Sequence, residues 1–166
     1  MDQLNVVSLS EAKLYLRLDE DYEIEDGLIT SLIKSAVNQA EQFTLQVLWQ
    51  RQLSLITPVS GAVKIYEYPL ISVETVVDPD MVALTFETIE TQGFTEVISD
   101  TAGFNTVTFV AGYGWNYEGG SDVPDDIETA IKEMIGYYYE NRMNEVVGMP
   151  TIATLLLSPY RRITLF

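Results

Sequence analysis

Apolar residues recur along this chain at two different periods, and the switch between them divides it. Ile29, Leu32, Ile33, Ala36, Val37, Ala40, Phe43 and Val47 return every three or four positions, which gathers them on one face of a helix. That stripe predicts a long amphipathic helix over 25–48. From Arg51 the period becomes two: Leu53 and Leu55, Val63 and Ile65, Leu84 and Phe86, and Val107 and Phe109 alternate with polar neighbours, as half-buried strands require. Pro58, Gly61, Pro69, Pro79, Gly93 and Gly103 punctuate the stretch, so it predicts five or six short antiparallel strands over 51–113. Gly112-Tyr113-Gly114 and Gly119-Gly120-Ser121 make a return loop. Helical spacing then resumes with Ile127, Ala130, Ile131, Met134, Ile135, Tyr138 and Tyr139, predicting a helix over 124–143 with Pro124 in its first turn and Gly136 at a close-packing site.

Two shorter helices flank these. Ser8-Leu9-Ser10-Glu11 reads as a capping box opening a helix over 9–17, and the acidic loop 19–26 that follows suits the positive end of the next helix dipole. A loop containing Gly148 leads to a helix over 150–157 that Pro159 ends, and Ile163-Thr164-Leu165-Phe166 is apolar and β-prone. The expected fold class is α+β: a helical bundle core of two long and two short helices with an inserted antiparallel β subdomain. It is organised as one domain in three stretches, 1–50, 51–113 and 114–166.

Composition narrows the chemistry. With 47% apolar residues in 166, a packed core is expected despite the charge. No apolar run approaches the roughly 18–20 residues that span a bilayer, and Met1-Asp2-Gln3-Leu4 lacks the parts of a signal peptide, so a soluble, intracellular product without a membrane partner is expected. The absence of Cys and His removes thiol and imidazole catalysis, Cys/His zinc sites and disulfides. A net charge of −16 opposes broad attraction to nucleic-acid phosphates. The distribution is sharper than the total, because thirteen carboxylates and no Lys or Arg lie between Lys64 and Lys132. After Glu145 only Arg161 and Arg162 are charged.

Each chemical motif has a structural reading beside it. The acidic run from Asp19 to Asp26 fails as a calcium loop, since the frame from Asp19 puts Ile24 where Gly is needed and Thr30 where Glu is needed. Asp78-Pro79-Asp80 and Asp125-Asp126 offer adjacent carboxylates, more typical of turns and helix starts than of catalytic pairs. Gly112-Tyr113-Gly114 matches no phosphate-binding pattern. Hence no catalytic residue, cofactor-binding residue or metal ligand is assigned, and no cofactor is expected. Tyr137-Tyr138-Tyr139 covers most of a helical turn, with Tyr138 and Tyr139 on the buried stripe and Tyr137 elsewhere; core packing and a subunit interface, where Tyr and Arg are enriched, both fit it.

The order of several segments carries a resemblance over nearly the whole length. These are Leu9-Ser10-Glu11-Ala12-Lys13-Leu14-Tyr15-Leu16-Arg17 with its acidic loop, the helix end Phe43-Thr44, Tyr68-Pro69-Leu70-Ile71-Ser72-Val73, Val107-Thr108-Phe109-Val110-Ala111-Gly112-Tyr113-Gly114, Val123-Pro124 through Tyr139-Glu140-Asn141-Arg142, and Leu156-Leu157-Ser158-Pro159-Tyr160-Arg161. Together they resemble the head-tail connector (adaptor, or DNA-packaging) proteins of tailed phages. Two departures stand out: Leu45-Gln46 replaces a frequent Gly-Arg, and Tyr138 a frequent Trp.

The resemblance implies a non-enzymatic virion protein at the head-tail interface, present in the host cytoplasm during assembly. It implies a ring, commonly a dodecamer, below the portal protein and above a stopper or tail-terminator protein. Viral DNA would pass through without specific binding during packaging and ejection. On this reading Tyr160, Arg161, Arg162, Ile163, Leu165 and Phe166 dock onto the portal as a segment that packs little on its own domain. Tyr137, Tyr139 and Arg142 form a subunit interface, and Glu67, Asp78, Asp80, Glu87 and Glu90 face the channel or solvent. The alternatives are a tail-completion factor binding the tail tube and a carboxylate-dependent metal hydrolase.

Overall fold

The computed structural model describes residues 3–59, 62–99, 103–114, 122–142 and 148–162. The fold is α+β, with four α-helices and two three-stranded antiparallel sheets. The chain forms two compact units, one from Met1–Trp49 with Tyr113–Arg162 and the other from Gln50–Gly112. The loop segment Gly119-Gly120-Ser121, Met143 and the terminal Ile163 to Phe166 lie outside the described residues.

The helical unit holds α1 (Leu9–Tyr15), α2 (Asp26–Thr44), α3 (Asp125–Glu140) and α4 (Thr151–Leu157). α3 packs against both α2 and α4. The core is built from Val7, Ala12, Ile29, Ile33, Val37, Leu48, Ile127, Ile131, Met134, Ile135 and Leu157, all fully buried. Each large aliphatic side chain so placed contributes roughly 1.5–3 kcal/mol. The capping box of α1 is formed: the Glu11 N–H donates to Ser8 Oγ, and the Ser8 N–H donates to the Glu11 carboxylate at 2.8 Å. At its other end Arg17 takes a left-handed φ of 57°, while the Arg17 and Leu18 N–H groups donate to the Leu14 and Lys13 carbonyls, a Schellman closure that satisfies two orphan acceptors.

Several boundaries differ from the sequence expectation by a few residues. α2 ends at Thr44 because Leu45 turns left-handed at φ 56°, and the Glu41 carboxylate accepts the Leu48 N–H at 2.8 Å. Val47 and Leu48 stay buried, so the apolar pattern continues past the helix that it predicted. The residue replacing a frequent Gly thus sits where Gly costs least. Pro124 caps α3 from outside, as Pro150 does α4, and α3 stops at Glu140. α4 ends at Leu157 as expected, and Pro159 lies within a 3₁₀ turn, Ser158–Tyr160, that follows it directly.

The β unit contains β1 (Arg51–Val59), β2 (Ala62–Ile65), β3 (Leu70–Val77), β4 (Phe86–Glu90), β5 (Thr95–Ser99) and β6 (Gly103–Ala111). Their orders are β1-β6-β3 and β2-β5-β4. β1 and β6 pair without a break from Arg51↔Ala111 to Val59↔Gly103. In β6, buried Asn105, Val107, Phe109 and Ala111 alternate with half-buried Thr106, Thr108 and Val110, the period-two signature of a strand with one face inward. Phe109 sits between Leu53 and Val73 on the flanking strands.

Candidate assembly surfaces

The acidic loop before α2 is organised by one cation from α1 and one from just past the end of α3. Lys13, only 4% exposed, pairs with Asp26 at 2.7 Å and donates to the Glu20 carbonyl at 3.0 Å. Glu25 accepts from Arg142 Nη1 at 2.7 Å and from the Tyr139 hydroxyl, while the Arg142 guanidinium lies 4.0 Å from the Tyr139 ring centroid. The hydrogen bonds from Arg142 and then Tyr139 hold the Glu25 carboxyl below its usual range, and the same bond to Glu25 pushes the Tyr139 phenol up. Two of the three residues expected at a subunit interface, Tyr139 and Arg142, are therefore engaged within their own chain. Tyr137 is 39% exposed.

Tyr15 crosses α3 at Gly136, where a Cβ would stand 3.1 Å from its ring. The absence of a side chain at Gly136 permits this approach. Tyr15 donates to Glu133 at 2.7 Å; burial, that bond and the charges of Glu133 and Glu140 push its phenol up to about 12. Beside it, Glu133, Gly136, Tyr137, Glu140 and the start of α4 at Thr151 and Ile152 border an open groove. Ile152 and Leu155 of α4 are 56% and 68% exposed.

Tyr160, Arg161 and Arg162 pack on their own unit, contrary to expectation. Tyr160 lies against the helical core, its hydroxyl donates to Asp126 at 3.1 Å, and its carbonyl accepts from Gln46 Nε2 at 2.6 Å. Gln46 is itself buried and accepts from Tyr113 at 2.7 Å. Arg161 stacks over Phe43 at 5.5 Å, and the Arg162 N–H donates to the Thr44 carbonyl at 2.9 Å. A buried amide seeking partners explains the segment's path. Ile163, Leu165 and Phe166 lie outside the described residues.

On the β unit, Asp80, Glu87 and Glu90 are exposed, and Glu67 and Asp78 half-buried. Asp78 has a structural task, since its carboxylate accepts the Asp80 and Val82 N–H groups at 3.0 and 2.9 Å and shapes the turn in which Met81 adopts φ 63°. Among the described residues no group of three or more Asp or Glu is placed to hold a metal ion, and no helix is long and apolar enough to cross a membrane. Lys13, Tyr15 and Glu25 were not singled out by sequence reasoning, and Gln46 was noted only as part of the departure Leu45-Gln46. Their partners lie across other elements, so spacing carried no signal, although an internal Lys beside an acidic run was a hint.

No family model and no curated protein matches the chain. Solved structures do. A chain from the neck of an empty gene transfer agent particle, computed with C6 symmetry, superposes with TM-score 0.76 at 20% identity, covering 97% of this chain and 92% of that one. A chain from the virion of the native gene transfer agent particle gives 0.72 at 20% identity over 97% and 92%. A chain from the native neck computed with C12 symmetry gives 0.69 at 17% over 97% and 93%. The fold is that of gene transfer agent neck chains.

Proposed function

We propose that this protein is a structural head-tail connector of a tailed, phage-like particle, acting without catalysis as one ring of the neck. The observation that carries the reading is the fold likeness to neck chains over 97% of the sequence, β unit included. In this role the subunits form a ring below the portal, twelve of them if the symmetry of one neighbour's particle applies, and the ring supports a stopper or tail-terminator protein. Its place is the virion neck, reached from the host cytoplasm during assembly. The exposed carboxylates Asp80, Glu87 and Glu90 suit a wall past which DNA slides, because like charge keeps phosphates from adhering. The segment from Tyr160 onward is the proposed portal-docking element, and its first three residues, Tyr160–Arg162, are anchored on the helical unit.

Mixing the purified chain with portal assemblies and with tail tubes tests the reading. Co-sedimentation with portals as a stoichiometric ring is expected. Binding to tail tubes alone would transfer the protein to tail completion, and failure to bind either would refute a neck role.

A further inference from the structure

The helical unit carries two surface stripes of opposite character. On α3, Glu133, Gly136, Tyr137 and Glu140 follow i, i+3, i+4, i+7 spacing, which is one helix face, and they border the groove with Tyr15 and Ile152. Its apolar surface is open, with Tyr137 at 39% and Ile152 at 56% exposure. Its charge is negative, and neither Glu133 nor Glu140 belongs to an ion pair among the described residues. On α2, Gly27, Ser31, Lys34, Ser35, Asn38 and Gln42 form the exposed stripe. Between Asp26 and Glu41 the sole charged residue is Lys34. It is exposed and in no ion pair among the described residues, and it does not border the groove of its own chain.

A chain of net charge −16 resists contact with copies of itself. The α2 stripe carries no carboxylate, and its one charge has the sign that the groove requires. We infer that the groove of one copy receives the outer α2 stripe of the next, setting Lys34 against Glu133 and Glu140. The inference rests on the ring reading and deepens it. Each copy uses two different patches, one as donor and one as acceptor, which is the head-to-tail contact that generates closed rings. The apolar rim at Tyr137 and Ile152 gains cover from Leu28, itself 37% exposed.

The chain contains no cysteine, so introduced thiols report single contacts. Full-length protein carrying Ser35→Cys and Ile152→Cys, both at exposed positions, is expected to give a ladder of dimers, trimers and larger species on oxidation. Neither single variant should ladder, and circular dichroism verifies that each variant is folded. Independently, Lys34→Glu or Glu140→Lys should raise the concentration needed for assembly at least about tenfold, with the double reversal recovering most of the loss. A wild-type ring by mass, with no ladder and no response to charge reversal, overturns this interface and leaves the ring reading standing. Dimers from Ser35→Cys alone would mean α2 meets α2 and would also overturn it. A wild-type chain that stays monomeric at every concentration, alone and on portals, defeats the ring reading and the interface together.

Discussion

The helical unit and the β unit are held together by different means. In the helical unit, groups more than a hundred residues apart are joined: the side chains of Tyr15 and Glu133 and of Glu25 with Tyr139 and Arg142, and the Gln46 amide with the Tyr160 backbone carbonyl. In the β unit, cohesion comes chiefly from registered ladders and an inward face of Val63, Ile65, Val76, Val97, Val107 and Phe109, with a few side-chain ties between strands such as Gln52 to Glu74 and Asn105 to Ser99. A polar tie fixes the direction of two side chains at once, whereas a ladder fixes backbone and leaves outward side chains free to vary. The first design gives a surface of defined shape, and the second a surface defined mainly by its charge.

The largest effect that would sharpen this contrast lies in the β unit's inward face. Phe109→Ala should remove about 3–5 kcal/mol, seen as lost amide-exchange protection in β1, β3 and β6. Retained protection would show that the ladders suffice without the apolar face. Next is Lys13→Met in the helical unit, which strands Asp26 beside an apolar neighbour and should cost about 2–4 kcal/mol in denaturant unfolding. The matched control, Glu87→Gln with Glu90→Gln, should shift stability by less than about 0.5 kcal/mol; a loss as large as that of Lys13→Met would erase the contrast. Leu45→Gly should stabilise by about 1 kcal/mol, since a half-exposed Leu gives up a left-handed conformation that Gly adopts freely.

Proton linkage supplies the smallest and most selective probes. The Glu25 carboxyl is held low by Arg142 and Tyr139, so its contribution is present above the unfolded value near ~4.3 and is lost as pH falls through the folded one. The Tm gap between wild type and Glu25→Gln should therefore close on acidification below about pH 4; a gap that persists would trace it to packing. Burial and the Glu133 bond push Tyr15 up to about 12, so its contribution is present below the unfolded value near ~10 and fades as pH rises toward the folded one. Ultraviolet titration of Tyr15→Phe should lack one late-ionising phenol.

Periodicity made the elements legible because burial of one face is a local property of a strand or helix. Ile29 to Ala40 and Ile127 to Ile135 announced α2 and α3, and Ser8 with Glu11 announced the start of α1. The end of α2 was hidden, since buried Val47 continued the apolar rhythm while Leu45 broke the backbone. Strand order was hidden too, because nothing in Val107 or Phe109 states that β6 pairs with both β1 and β3. Of the candidate surface residues, Tyr137 was legible as the outward tyrosine. The engagement of Tyr139 and Arg142 was not, because their partner Glu25 looked like one more carboxylate in an acidic loop. Arg161 and Arg162 read as a free tail since neither the Phe43 ring nor the Thr44 carbonyl is near in sequence.

The hydrogen bond from the Arg162 N–H to the Thr44 carbonyl has a mechanical meaning. Any load applied to the chain beyond Arg162 arrives first at the last turn of the nineteen-residue α2, with Gln46 and Asp126 gripping Tyr160 one step behind. These bonds share the pull and must yield before α4 can unwind. Tension applied there enters α2, the longest helix among the described residues, and spares the seven-residue α4.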